Sequence, residues 1–121
     1  MSSLLGKRVL LVEDEILLAM LFEDMLEDMG MIVVGPYRGV TKALAAIDAN
    51  DNLDFALLDI DLGHETSMLV ADALIARKVP FLFATGFGST AITGYNDKPV
   101  LGKPFTEAQL IERIRRLLDG Q

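Results

Sequence analysis

Short apolar runs alternate with amphipathic stretches along nearly the whole chain, and the two follow different periods. Arg8-Val-Leu-Leu-Val12 is continuously apolar after its first residue and bounded by charge, which predicts a strand covered on both faces. From Leu18 onward, Leu21, Phe22, Met25, Leu26 and Met29 fall at helical spacing, with Glu23, Asp24, Glu27 and Asp28 on the other face. On that pattern Met20, Met25 and Met29 are core filler, and Gly30 is a left-handed stop. Met31 to Val34 predicts a second strand closed by Gly35-Pro36, and Val40, Ala43, Leu44 and Ile47 a short helix ending near Asn50. Phe55 to Leu58 predicts a third strand ending on Asp59, and Val70, Ala73, Leu74 and Arg77 mark a helix beyond Gly63. Pro80 opens a fourth strand, Phe81 to Ala84, which ends on Thr85.

The next stretch is weaker. Gly86, Gly88 and Gly94 would each cost about 1 kcal/mol relative to Ala in a helix, so a fourth helix over 86–97 is expected to be short or mobile. Val100-Leu101 is a short last strand. Thr106 and Gln109 spell a capping box for a final helix with Leu110, Ile111, Ile114, Leu117 and Leu118 facing inward. Strands apolar on both faces and separated by helices imply a parallel sheet with helices on each side. The expected fold is α/β, a flavodoxin-like doubly wound sheet of five strands in the order 2-1-3-4-5, with about five helices. Residues 1–121 are expected to form one domain with no effector domain.

Composition narrows the function. The absence of Cys excludes a disulfide framework, a thiolate zinc site and a Cys nucleophile. Eleven basic residues against 18 acidic ones give a net charge of −7, which offers no general attraction to nucleic acid. Met1 to Lys7 is too short and polar for a signal peptide, and no apolar run approaches membrane-spanning length, so a cytoplasmic location is expected. The turn after the first strand is Glu13-Asp14-Glu15 rather than a glycine-rich loop, and nucleotide phosphates would be repelled there.

Sites in open parallel sheets lie at the carboxyl ends of the strands. Those ends carry Glu13-Asp14, Asp59, Thr85 and, after the fifth strand, Lys103. Each has a bland reading: an acidic helix start, two turn residues and a solvated lysine. Their recurrence at one edge outweighs those readings. Crowded carboxylates call for a cation, and Mg²⁺ suits two or so carboxylates with water and phosphate filling its remaining positions. Asp59 could then attack phosphorus to form an acyl phosphate, with Lys103 and the Thr85 hydroxyl on phosphoryl oxygens. His64, the lone histidine, is expected to be exposed and idle. Arg113, Arg115 and Arg116 are either a partner patch or a solvated face suited to the helix C-terminus.

Glu13-Asp14, Asp59, Thr85 and Lys103-Pro104-Phe105, in that order over nearly the whole chain, resemble the receiver domains of two-component response regulators. The resemblance implies phosphorylation of Asp59 by a histidine kinase or histidine phosphotransfer protein. It implies Mg²⁺ held directly by Asp14 and Asp59, by Glu13 through water and by the backbone carbonyl of Asp61. It places Lys103 on the phosphoryl group and allows a cis Lys103–Pro104 bond. Phe83-Ala-Thr-Gly86 further resembles the bacterial subgroup with a Phe-Ala-Thr-Gly signature, often single-domain stress regulators. Such a protein catalyses only its own phosphorylation and dephosphorylation, so it is not expected to be an enzyme. It would signal by protein contact as a monomer or weak dimer. Asp61 and Phe87 flank the site and would tune dephosphorylation. Receivers usually carry an aromatic three residues before the lysine; Val100 stands there, so the usual Thr–aromatic switch cannot operate. Phosphorylation is expected instead to draw Thr85 inward and order the segment after it.

Two rival readings share these residues. A receiver fragment of a hybrid histidine kinase would look alike, as would a receiver-like module never phosphorylated; the initiating Met and the end at Gly120-Gln121 favour a free-standing protein. A haloacid dehalogenase-type phosphohydrolase also uses Asp-x-Asp, then Thr, then Lys, which Asp59, Asp61, Thr85 and Lys103 match. That chemistry has no use for Glu13-Asp14, the paired acidic motif it needs on another strand after Lys103 is absent from the sequence, and the chain is too short for that fold with its cap. Asp61→Ala is expected to leave phosphoryl uptake within a few-fold of wild type, measured by intact mass; complete loss would favour the hydrolase, in which the second Asp is the acid/base.

Overall fold

The computed structural model describes residues 4–85, 100–103 and 105–119. Nine elements follow in order: β1 (Arg8–Val12), α1 (Ile16–Asp28), β2 (Ile32–Tyr37), α2 (Val40–Ala49), β3 (Phe55–Asp59), α3 (Met68–Ala76), β4 (Phe81–Thr85), β5 (Val100–Gly102) and α4 (Glu107–Asp119). The strands form one parallel five-stranded sheet in the order β2-β1-β3-β4-β5, the flavodoxin-like order that the alternation implied. The fourth helix expected over 86–97 lies outside the described residues, as do Phe87 and Pro104 with its preceding peptide bond. The described helices therefore number four, and α4 is the capped final helix.

Both faces of the sheet are buried, which is why its strands read as apolar runs rather than as alternation. One side chain set, including Val9, Leu11, Phe55, Leu57, Leu82 and Leu101, packs with Phe22 and Leu26 of α1 and Leu110 and Ile114 of α4. The other, Leu10, Val12, Ala56, Leu58, Phe81 and Phe83, packs with Ala43 and Ile47 of α2 and Val70 and Leu74 of α3. Thr106 and Gln109 make the reciprocal capping bonds that the sequence predicts, 3.1 Å and 2.8 Å.

Three local expectations are corrected. β2 does not close at Gly35-Pro36 but runs through them to Tyr37. It is an edge strand, where a proline's missing N–H is tolerated. Its register against β1 shifts between Leu10 and Val12, and Gly35 there has φ +112°, with a Cβ landing 2.8 Å from the Leu11 carbonyl oxygen. Met20 is not core filler: it is 56% exposed, and Leu17 and Leu21 are exposed beside it. The helix buries a single stripe, Ala19, Phe22 and Leu26, and its apolar content exceeds that stripe. Arg113 is not simply solvated: it is half-buried, and its guanidinium donates to the Val100 carbonyl of β5 at 3.0 Å.

The register sets the position of the polar residues. Val12 pairs with Leu58 and Asp59 with Ala84, so β1, β3 and β4 end nearly level. Thr85 pairs with Gly102, which puts Lys103 just beyond the same edge.

Two helices end on the same motif with different residues. After α1, Gly30 sits at φ +85°, and the Gly30 and Met31 amides donate to the Glu27 and Leu26 carbonyls. After α3, Lys78 occupies the equivalent place at φ +59°, with Lys78 and Val79 donating to Ile75 and Leu74. A side chain is disfavoured in that left-handed conformation. Lys78→Gly is expected to raise unfolding stability by about 0.5–1 kcal/mol, while Gly30→Ala lowers it by at least as much. Urea denaturation checks both directions.

Candidate functional site

The site is assembled from strand ends. Glu13, the residue after β1, is 1% exposed, and Asp59, the last of β3, is 6% exposed. Ionisable groups are rarely buried without partners. Their partner is Lys103, whose ammonium donates to Glu13 Oε1 at 2.9 Å and lies 3.2 Å from Asp59 Oδ2, with its side chain 9% exposed. The Lys103 amide also donates to the Thr85 carbonyl at 2.6 Å, which fixes the start of the lysine against the end of β4. The second Glu13 oxygen, Oε2, accepts the Glu15 amide at 3.1 Å. Both oxygens of Glu13 are thus engaged within the protein.

Asp14 is half-buried, and its carboxylate joins those of Glu13 and Asp59 with donor oxygens within 4.8 Å of one another. Three convergent carboxylates are hard oxygen donors, and one ammonium does not neutralise them. That donor set fits a divalent cation such as Mg²⁺. Asp14 is held by its surroundings: Arg38 donates through Nε to its backbone carbonyl at 3.1 Å, and Gly63 of the β3–α3 loop passes so close that a Cβ would lie 3.5 Å from Asp14 Oδ2.

The electrostatics follow from crowding. Burial, then the Glu13 charge, push the Asp59 carboxyl up from 3.8 to about 7, against the opposing pull of Lys103. Burial alone would lower the Lys103 ammonium, but hydrogen bonding and charge from Glu13, with Asp59 adding, raise it above its ordinary value. Glu13 raises both groups, whereas burial raises Asp59 and opposes the rise at Lys103. A single ammonium serves two acids, sits nearer Glu13, and leaves Asp59 the less compensated.

Every sequence-predicted site residue among those described lies at this rim, though not all in one cluster. Thr85 is half-buried at the end of β4, next to the lysine backbone. The Asp61 carboxylate is turned to its own loop, accepting the Gly63 amide at 2.9 Å. Asp61 and Thr66 form a bridge closed by the backbone groups of their neighbours, Leu62 to Glu65 and Ser67 to Ile60, so the bridge does not consume the Asp61 carbonyl. His64 is exposed, as expected. Sequence reasoning missed two supports. Arg38 braces Asp14, and Glu65 Oε2 accepts the Val40 amide at 3.0 Å, capping α2 from the loop that follows β3. A cap supplied from 25 residues away leaves no local pattern to read.

Known proteins resemble the chain in sequence and in fold. The sequence matches the family described as the response regulator receiver domain over residues 9–115. It is similar to the phyllosphere-induced regulator PhyR of Methylorubrum extorquens, 31% identical over 118 residues that cover 94% of this chain and 44% of PhyR. The BeF3-activated conformation of SdrG from Pseudomonas melonis Fr1 superimposes with a TM-score of 0.79 at 44% identity, over 98% of this chain and 99% of that one. Anti-anti-sigma factor PhyR from Bartonella quintana superimposes with a TM-score of 0.81 at 28% identity, over 96% of this chain and 49% of that one. The chain therefore spans less than half of each PhyR protein. Among the described residues, no helix is long and apolar enough to cross a membrane.

The Asp59 shift has a signed consequence. Without a cation, the folded protein binds more protons than the unfolded chain between pH 3.8 and about 7, so stability contributed by this group falls as the pH rises through about 7. Asp59→Asn is expected to raise ion-free stability at pH 8 by on the order of 1–3 kcal/mol, an advantage that vanishes toward pH 4. Mg²⁺ should raise the melting temperature of the wild type well above any effect on the variant. A wild-type stability that stays flat from pH 4 to 8 contradicts the assignment.

Proposed function

The chain belongs to the response regulator receiver domain family, and on that premise we propose that it accepts a phosphoryl group on Asp59 from a histidine kinase or histidine phosphotransfer protein. The observation that carries the proposal is the Glu13–Lys103–Asp59 arrangement, a nucleophile and an ammonium in contact at the rim where three carboxylates converge.

Asp14 and Asp59 would hold Mg²⁺ directly, with the Asp61 carbonyl as a further oxygen ligand. Glu13, whose two oxygens are already engaged, would act through water. The bound ion supplies positive charge that favours ionised Asp59 and offsets charge on the phosphoryl oxygens. An Asp59 carboxylate oxygen attacks phosphorus as the donor's bond to it breaks. In a phosphohistidine that is the P–N bond, and the imidazole leaves and takes up a proton; in acetyl phosphate it is the P–O bond, and acetate leaves. Lys103, already 3.2 Å from the nucleophile, moves from carboxylate to phosphoryl oxygen with its charge still compensated by Glu13. The Thr85 hydroxyl takes another oxygen. Little proton transfer is needed, so positioning and charge carry the reaction.

In this reading the protein is not an enzyme toward other substrates, and its output is contact with another protein. The hydrolase alternative loses ground because the Asp61 carboxylate is held by the Gly63 amide, away from the cluster of Glu13, Asp14 and Asp59. The Phe-Ala-Thr-Gly subgroup is part of the proposal; Phe83, Ala84 and Thr85 end β4, and Gly86 lies outside the described residues.

Incubation with acetyl phosphate and Mg²⁺, followed by intact-mass measurement, tests the chemistry. Wild type should gain the mass of one phosphoryl group and Asp59→Asn none. Lys103→Met should slow the gain by on the order of tenfold or more. Equal gain in wild type and Asp59→Asn would remove Asp59 from the role.

A further inference from the structure

Lys103 is held by more than its two carboxylates. Its ammonium lies over the ring of Phe22, 6.0 Å from the ring centre. Phe22 stacks in turn on Phe105, centroid to centroid 4.7 Å with an 18° angle between planes. Phe22 is on α1, two turns after the Glu13-Asp14 turn, while Phe105 is two residues past Lys103. The stack therefore ties the segment bearing the ammonium to the helix that grows out of the carboxylate-bearing turn.

In sequence Phe22 is one of several apolar residues on an amphipathic helix, and its burial at 2% exposed is what a core position requires. Burial alone does not select an aromatic. Leu26, one turn on, is just as buried and is aliphatic. What the ring adds is a π-face beneath a desolvated ammonium, an attraction that strengthens where water is excluded. A lysine has a long flexible stem, and holding its head in one place removes rotamer freedom. Two carboxylates at 2.9 and 3.2 Å draw the ammonium in, and the aromatic face at 6.0 Å adds a third contact that limits where it rests.

We propose that Phe22 is a positioning residue for phosphoryl transfer: its ring, braced by Phe105, holds the Lys103 ammonium at the point where it passes from Asp59 to an incoming phosphoryl oxygen. This rests on the reading of Asp59 as the phosphoacceptor. Phe22 touches neither donor nor phosphoryl group and acts only through Lys103.

The experiment is a double-mutant cycle on the full chain, read by the initial rate of phosphoryl gain from acetyl phosphate in Mg²⁺. Phe22→Leu keeps an apolar side chain and removes the ring; its rate should fall about five- to tenfold, with Phe22→Tyr restoring most of it. In a Lys103→Met background, Phe22→Leu should cost nothing further. A purely structural role would slow both backgrounds alike, and that result overturns the proposal. So does a folded Phe22→Leu protein that reacts at the wild-type rate. A second readout does not depend on phosphorylation: the Lys103 side-chain protons should show an upfield ring-current shift by NMR that disappears in Phe22→Leu, and unshifted wild-type resonances also overturn the proposal. No mass gain in wild type defeats the phosphoacceptor reading and this inference together; mass gain with additive variants defeats the inference alone.

Discussion

One ammonium shared between two buried carboxylates is the interaction on which the polar end of this molecule depends. Glu13 and Asp59 leave adjacent strands of the sheet, and both are nearly inaccessible to water. Without Lys103 they would place two uncompensated charges in a region of low polarity, at a cost of several kcal/mol. With it they remain short of neutral by one charge, and Asp14 adds another nearby. The fold thus tolerates a charge deficit at one rim. A divalent cation and a phosphoryl group are the kinds of ligand that such a deficit and such an ammonium attract.

The tolerance comes from the rest of the sheet. A parallel arrangement buried on both faces gives a rigid platform whose strand ends are fixed by hydrogen-bonded register. β1, β3 and β4 finish level, so residues as distant as Glu13 and Lys103, 90 positions apart, meet at 2.9 Å. Elements beyond the strands add precision: Arg38 reaches Asp14, and Glu65 reaches the start of α2, each tying one loop of this edge to another.

Much of this was legible from the chain. The strands could be read because burial on both faces makes them uniformly apolar, and the strand order followed from the βα alternation and the length. The site could be read because each apolar run hands over to a polar residue at its carboxyl end. Three kinds of feature could not be read. Pro36 in an edge strand looks like a terminator until the neighbouring register shift and the geometry of Gly35 are known. Met20 and Leu21 fit a helical apolar pattern yet face outward, because periodicity cannot say which of two apolar stripes meets the sheet. The roles of Arg38, Glu65 and Phe22 depend on contacts between loops and helices, which leave no local signature.

The raised proton affinity of Lys103 has a chemical consequence of its own. An acyl phosphate is an activated carboxyl, and a free amine beside it could attack the carbonyl carbon, expel phosphate and join the two side chains in an isopeptide; Lys103 lies 3.2 Å from the Asp59 carboxylate. Glu13 lies 2.9 Å from the nitrogen, and its negative charge favours the form in which the lone pair carries a proton. If Asp59 carries a phosphoryl group as proposed, the same carboxylate that crowds it would keep the neighbouring amine protonated and so guard against irreversible self-acylation.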